Sequence, residues 1–369
     1  MKKTRTLTFH FPLNNGAFLQ TYALQQVLIN HFGVNNEIIN YCSEQQKQTY
    51  RILQPIHGKA DILKNLFSLL HYRKLRKRKK SFERMQHEFL ILTERVKEDQ
   101  QVYCLAEEAD LNIVGSDQVW NTSISACTPA FFLQGVKAKK ITYAASMGSH
   151  ADVSLIEKYI PDIEDFEALG LRESAQLSIF DFYKKDKTIV LDPTILLDKA
   201  DYTNLYKSSP IHGKYILLYS MRFSSELLQN VKRISDALGL PVVVPFTTYK
   251  AIKCLKYNFK IIYDASPDVF LNLMEYAELC LTNSFHGTAF SIIYKKNFFY
   301  ICDRKNGKIQ RDDRIDDLLD ALKIERNISV DTDLSTILNA ADIPYQHISN
   351  EIVALREQSL EFLRKHLDV

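Results

Sequence analysis

The chain has 369 residues, 46% of them hydrophobic and 25% charged. That is long enough for two domains with separate cores, and the composition is that of ordinary globular proteins, which excludes a largely disordered chain. A net charge of +3 is too small to argue for nucleic acid, and charge interrupts every apolar run short of the roughly 20 residues that a membrane span needs.

Met1-Lys2-Lys3-Thr4-Arg5 is a basic start with no apolar stretch behind it, because Asn14 and Asn15 arrive early. No signal peptide is expected. Residues 7–11 read as a first strand, Asn14-Asn15-Gly16 as a turn, and residues 17–32 as a helix. Further strand-like runs fall at 37–41, 111–114, 140–144, 169–172 and 188–191, with helical patterns between them, as at 153–166. A second series starts near Tyr215, with strands at 215–219, 241–244, 260–263, 279–282 and 298–301 and helices at 225–238, 267–276 and 288–296. Strands that alternate with helices predict parallel βαβ units and an α/β fold. The polar stretch Lys207-Ser208-Ser209-Pro210-Ile211-His212-Gly213 marks the boundary between a first domain, 1–206, and a second, 207–345. A final amphipathic helix, 351–367, lies within a segment 346–369 expected to pack on one domain or bridge both.

The six cysteines, Cys42, Cys104, Cys127, Cys254, Cys280 and Cys302, form no CxxC and no Cys/His pair at zinc spacing. A reducing cytoplasm is expected, with neither a disulfide scaffold nor a structural metal. Between residues 45 and 100 the one strong feature is Arg73-Lys74-Leu75-Arg76-Lys77-Arg78-Lys79-Lys80. It reads either as the solvated face of a helix or as an attraction for an anionic membrane surface or acceptor. Nucleic acid is a poorer fit, since no aromatic stacking motif accompanies the block.

Chemistry-bearing side chains gather at strand ends. Asn283-Ser284-Phe285-His286-Gly287 follows an apolar strand and precedes a helix. The N–H groups of such a helix point into the crevice where parallel sheets hold ligands, and an imidazole there moves protons near neutral pH. Gly115-Ser116-Asp117-Gln118-Val119-Trp120-Asn121 sets four polar groups and the single Trp just past another strand. It reads either as a sugar-binding cluster or as a helix cap beside a core Trp. In Asn14-Asn15-Gly16-Ala17 the glycine permits a tight turn and a close backbone approach. Arg172 ends an apolar run and suits a phosphate or carboxylate, or else pairs with Glu173. Asp192-Pro193-Thr194 reads as a structural turn, or as one whose Asp192 orients a site residue. No GxGxxG, Walker-type GxxxxGK[ST], GxSxG or HExxH occurs.

Taken together, the stretches 14–25, 115–121, 143–148, 171–173, 191–194 and 283–290 resemble the polysaccharide pyruvyl transferase family. Residues 115–121 and 284–287 are the specific matches and the others support them. The resemblance implies two Rossmann-like domains with parallel sheets facing across a cleft, as in GT-B glycosyltransferases. It implies transfer of pyruvate from phosphoenolpyruvate to two hydroxyls of a sugar in an exopolysaccharide or its lipid-linked precursor, with phosphate released. On that reading His286 and Asp117 are the catalytic candidates, Asp117 either as base or as acceptor ligand. Arg172, Ser284, Gly287, Asn15, Gly16, Ser116, Gln118, Trp120 and Asn121 bind substrate. No metal or cofactor is required, phosphoenolpyruvate being the donor, and no nucleic acid is involved. The chain is then cytoplasmic, with peripheral membrane contact expected through residues 73–80. The family's Asn-Ser-Arg before its last helix is replaced here by Arg311-Asp312-Asp313-Arg314. The alternatives are a GT-B glycosyltransferase using a nucleotide sugar and a non-catalytic glycan-assembly protein; fold alone does not separate them.

Overall fold

The structure is a computed structural model that describes every residue except 1, 149–152, 207–210, 212, 306–307, 330 and 369. The first sheet contains β1 (Lys3–Leu7), β2 (Asn35–Tyr41), β3 (Leu92–Val96), β4 (Leu111–Val114), β5 (Lys140–Ala145), β6 (Ala168–Leu171) and β7 (Asp186–Ile189). Their order is β3-β2-β1-β4-β5-β6-β7, with parallel pairing throughout. The second sheet contains β8 (Ile216–Tyr219), β9 (Val242–Pro245), β10 (Lys260–Ile262), β11 (Leu279–Thr282), β12 (Asn297–Lys305), β13 (Lys308–Gln310) and β14 (Asn327–Ser329). Its path is β10-β9-β8-β11-β12-β13, with β14 also beside β12. All its pairings are parallel except β12 with β13, which is antiparallel. The strand order reverses between β1 and β4 in one sheet and between β8 and β11 in the other. Such reversals open the crevices in which α/β sheets hold ligands, outside the carboxyl ends of the strands.

The first strand lies four residues earlier than the apolar pattern of residues 7–11 suggests. Lys3-Thr4-Arg5-Thr6-Leu7 is polar in sequence yet buried from Thr4 onward, because its polar groups are satisfied laterally. Asn36 Nδ2 donates to the hydroxyls of Thr4 and Thr6, at 3.0 Å each, and Arg5 reaches the Leu105 carbonyl and the Glu108 carboxylate. A fully paired polar network can occupy a central strand that propensity alone assigns elsewhere. β3 in the segment 45–100 carries no alternation strong enough to read from sequence; its burial runs half-buried, exposed and buried. Residues 153–166 form a 3-10 stretch, Val153–Tyr159, and one short helix, Ile160–Glu164. The helix after β11 starts at Phe285 rather than Thr288, so His286 and Gly287 lie inside its first turn.

The two halves share core. Phe18, Leu19 and Tyr22 of helix Asn15–Gln26 lie in one apolar cluster with Phe270, Phe290 and Tyr294 from the second half. Phe67 of helix Lys59–Leu70 packs on Phe246 and Tyr263, ring centroids 5.9 and 6.1 Å away. Helix Tyr345–Leu367 starts against the second half through Ile348 and ends against the first through Phe362, Leu363 and Leu367. Residues 207–210 and 212 of the expected boundary lie outside the described residues; the sheets divide between Ile189 and Ile216.

Candidate active site

Both strand-order reversals lead into one interdomain cavity of about 350 Å³. The segment after β1 contributes Pro12, Asn14 and Ala17, and the segment after β4 contributes Asp117 and Gln118. From the second half, the segment after β8 contributes Met221 and Arg222, and that after β11 contributes Asn283, Ser284, Phe285 and His286. Asp312 and Arg314 close the wall. Local hydrogen bonds hold these loops. Asn283 Oδ1 accepts from Met221 N–H at 2.9 Å, and Thr282 Oγ1 donates to the Tyr219 carbonyl at 2.7 Å. On the other side Thr8 Oγ1 donates to the Ser116 carbonyl at 3.0 Å.

His286 is the meeting point. Its ring lies against Gly16, so that a Cβ at residue 16 would overlap the imidazole. The close approach expected of Gly16 is therefore made to a side chain of the other half of the molecule. His286 Nε2 has no hydrogen-bond partner among the described residues and lies 3.8 Å from Asp192 Oδ2. Asp192 is buried and multiply held. Its Oδ1 accepts from the N–H and hydroxyl of Thr194, at 2.9 and 2.6 Å. Its Oδ2 accepts from Ser116 Oγ at 3.1 Å and lies 2.7 Å from Arg172 Nη2. Arg172 Nη2 also bonds the Ser116 hydroxyl, and Arg172 Nη1 is 3.7 Å from Asp117 Oδ1.

The charges are tuned by burial and by one another. Burial pushes the His286 pKa below its usual value, against the opposing pull of Asp192 and Asp117, which favours the neutral ring in the free protein. Burial alone would raise Asp192, but Arg172, His286 and the Thr194 bonds outweigh it and hold the carboxyl below its usual range. Glu173 behaves oppositely: burial raises it to about 7, despite Arg172, Arg314 and the Ser146 hydroxyl. The Arg172 and Glu173 side chains are both buried, so the charge of Arg172 acts on Glu173 inside the fold rather than at the surface. Arg314 chelates Asp312 through Nε and Nη2 at 2.9 and 2.7 Å. Arg172 and Arg314 both lie over the Phe285 ring, at 5.0 and 6.0 Å.

The residues singled out from sequence take different places in the structure. His286, Asp117, Ser284 and Gln118 line the cavity. Asn15, Gly16, Ser116 and Arg172 stand behind it as buried supports; Arg172 lines a separate, mainly apolar pocket with Leu191, Leu318 and Leu355. Arg172 Nε and Nη1 have no hydrogen-bond partner among the described residues. Gly287 packs its helix on the sheet, where a Cβ would strike Thr282 and Tyr219. Asn121 is buried beside Gln118, to which its amide donates at 2.7 Å. Trp120 is a correction. It is fully buried, donates to the Phe131 carbonyl at 3.1 Å, and packs among Phe132, Phe166 and Phe180. It fills the core and meets no sugar. Asp117 adopts φ 71°, a left-handed conformation unusual for a non-glycine residue and frequent at functional sites.

Sequence reasoning assigned no role to Arg314, and gave Glu173 only that of a partner to Arg172. Arg314 could have been found as a cation inside a stretch already compared with the family's pattern. The burial of Glu173 gave no sign, because Ser146 and Arg314 reach it from distant segments.

The model of the family described as polysaccharide pyruvyl transferase matches residues 14–302. No curated protein matches the chain. Among solved structures, the S. aureus MnaA protein in a co-structure with UDP is 13% identical with a TM-score of 0.59, covering 100% of this chain and 97% of that one. The Anabaena HepE protein in complex with UDP and glucose is 11% identical with a TM-score of 0.56, covering 99% and 100%. UDP-GlcNAc 2-epimerase from Neisseria meningitidis is 11% identical with a TM-score of 0.53, covering 99% and 100%. At such identities the likeness shows the fold, which is of the GT-B type. With a family match over most of its length and the matched motifs gathered around one interdomain cavity, the chain belongs to the polysaccharide pyruvyl transferase family.

Proposed function

We propose that the protein transfers pyruvate from phosphoenolpyruvate to two hydroxyls of one sugar in a cell-surface polysaccharide or its lipid-linked precursor. The observation that carries this is His286 Nε2, without a hydrogen-bond partner among the described residues, in a cavity shared with Asp117 and Arg314. The enol CH2 of the donor must gain a proton and become a methyl group. Two sugar oxygens form bonds to its C2, the C2–O bond to phosphate breaks, and the second hydroxyl proton leaves with phosphate. His286 takes a hydroxyl proton and delivers one to the enol carbon, with Asp192 steadying the imidazolium that forms between the two transfers. Asp117 binds and polarises the attacking hydroxyls, with Gln118 beside it on the first-half side. Ser116 and Asn15 hold that wall in place.

The donor is anionic at both ends. Arg314 faces the cavity, and Arg172 stands behind its wall, paired with Asp192 and 3.7 Å from Asp117. The N-terminus of helix Phe285–Ile293, opened by Ser284, adds N–H donors. These groups stabilise charge as phosphate departs. The scheme uses no metal or cofactor. The test is phosphate release from phosphoenolpyruvate with sugar and lipid-linked sugar acceptors. Binding of UDP-sugars without phosphoenolpyruvate would replace this reading with nucleotide-sugar transfer, as the UDP held by fold neighbours suggests.

A further inference from the structure

Helix Lys59–Leu70 carries Ile62, Leu63, Leu66, Leu69 and Leu70. At about 100° per residue, these five side chains fall within roughly 120° of the helix circumference. On a surface helix that arc normally faces the core. Here it faces outward: Leu63 is 68% exposed, Leu66 54%, Leu69 57% and Leu70 75%. The helix is held from its flank, through Phe67 against Phe246 and Tyr263. Leu53, Ile56 and Tyr72 extend the exposed apolar surface on either side. A contiguous patch of this kind marks an interaction site.

After His71 the chain turns directly into helix Tyr72–Phe89, which opens with the basic block. Lys77 is committed to Asp264 at 2.5 Å, Lys74 lies over the Tyr263 ring, and Arg78 is buried, donating to the carbonyls of Ala265 and Leu13. Arg73, Arg76, Lys79 and Lys80 have no ion-pair partner among the described residues. The hairpin adjoins the cavity: Arg78 grips Leu13, next to cavity-lining Pro12 and Asn14, and Tyr50, ahead of Leu53, lines the cavity too.

We propose that this hairpin docks the protein on an anionic lipid bilayer, with the leucine face below the headgroups and Arg73, Arg76, Lys79 and Lys80 against the lipid phosphates. A leucine face alone would fit a second copy of the chain, and a basic block alone would fit any polyanion. Their succession within one hairpin is the pairing of apolar insertion with charge attraction that interfacial helices use. No helix among the described residues is long and apolar enough to cross a membrane, so the contact is peripheral. The docking stands independently of the proposed reaction. If that reaction holds, it brings the cavity mouth to the surface where a lipid-linked acceptor resides.

The test is co-sedimentation of the full chain with vesicles of phosphatidylcholine, with and without phosphatidylglycerol. Binding is expected only with phosphatidylglycerol and falls with added salt. Replacing Arg73, Arg76, Lys79 and Lys80 by Gln weakens it about fivefold per charge. The combined Leu63→Ser, Leu66→Ser and Leu70→Ser variant loses tenfold or more. These leucines are exposed, so that variant keeps the parent's melting temperature. Equal or no sedimentation with the two vesicle types overturns the proposal. So does a parent dimer that the leucine variant dissociates while vesicle binding is unchanged, which would assign the face to a second copy.

Discussion

Gly16 and Gly287 each sit in the first turn of a helix that follows a strand, one on each side of the cavity. Neither has room for a Cβ, but the obstacle differs. At Gly16 it is the His286 ring from the other half; at Gly287 it is Thr282 and Tyr219 of the helix's own sheet. The same turn chemistry thus places the imidazole on one side and packs the helix on the other. Close approach across the cleft fixes where the imidazole points, whereas close approach within the second half fixes where its helix starts.

This contrast can be broken most directly at His286. His286→Ala should lower the turnover of phosphoenolpyruvate by about 10²–10⁴-fold, with an unchanged circular dichroism spectrum. Next in size is Asp192→Asn, which takes from buried Arg172 its nearest carboxylate. Loss of one partner of a buried pair costs about 3–5 kcal/mol, measurable by denaturant unfolding. It also removes the Asp192 pull that raises His286, so the acid limb of the pH–rate profile should move to lower pH.

Glu173 supplies a test by pH. Its folded pKa, about 7, stands above the reference value of 4.5. The folded state therefore keeps a proton that the unfolded chain releases. The stability this group contributes is complete below pH 4.5 and is lost as pH rises toward 7. The difference of 2.5 units amounts to about 3 kcal/mol. Unfolding at pH 5 and pH 8 should show Glu173→Gln gaining on the parent by an amount of that order at the higher pH. His286 acts in the opposite sense: its lowered pKa makes stability fall as pH drops below 6.5.

The glycines themselves give the smallest effects and the sharpest contrast. Gly287→Ala should destabilise by about 1–3 kcal/mol through overpacking, seen as a lower melting temperature. Gly16→Ala should lower kcat about tenfold or more by displacing the imidazole, with a smaller thermal shift. Interchanged outcomes would show that Gly16 is the structural glycine and Gly287 the functional one.

Much of this arrangement was legible in the sequence because local signals agreed with the fold. β4, β11 and the helices Ser225–Leu238 and Pro267–Tyr276 lie where alternation, caps and an N-terminal Pro put them. Ser116, Asp117 and His286 could be picked out because strand ends followed by polar residues imply a crevice. The rest depended on distant partners. β1 was misplaced because its buried Thr4 and Thr6 are satisfied by Asn36 from another strand. Trp120 drew attention as a lone aromatic among polar residues, although three phenylalanines from later segments enclose it. The role of Asp192 was open between structural turn and orienting group; it caps Thr194, bonds Ser116 and Arg172, and lies 3.8 Å from His286 Nε2. The outward leucines of helix Lys59–Leu70 lie in a segment where sequence offered no strong feature besides the basic block, so their exposure emerged only in three dimensions.

The central claim is proton handling by His286 during transfer from phosphoenolpyruvate, and acceptor-dependent phosphate release by the parent and His286→Ala measures it most directly. The account predicts release with at least one sugar or lipid-linked sugar acceptor, and its near-complete loss in the variant with phosphoenolpyruvate binding retained. Undiminished release by His286→Ala, or a flat acceptor panel together with no binding of phosphoenolpyruvate, would contradict it.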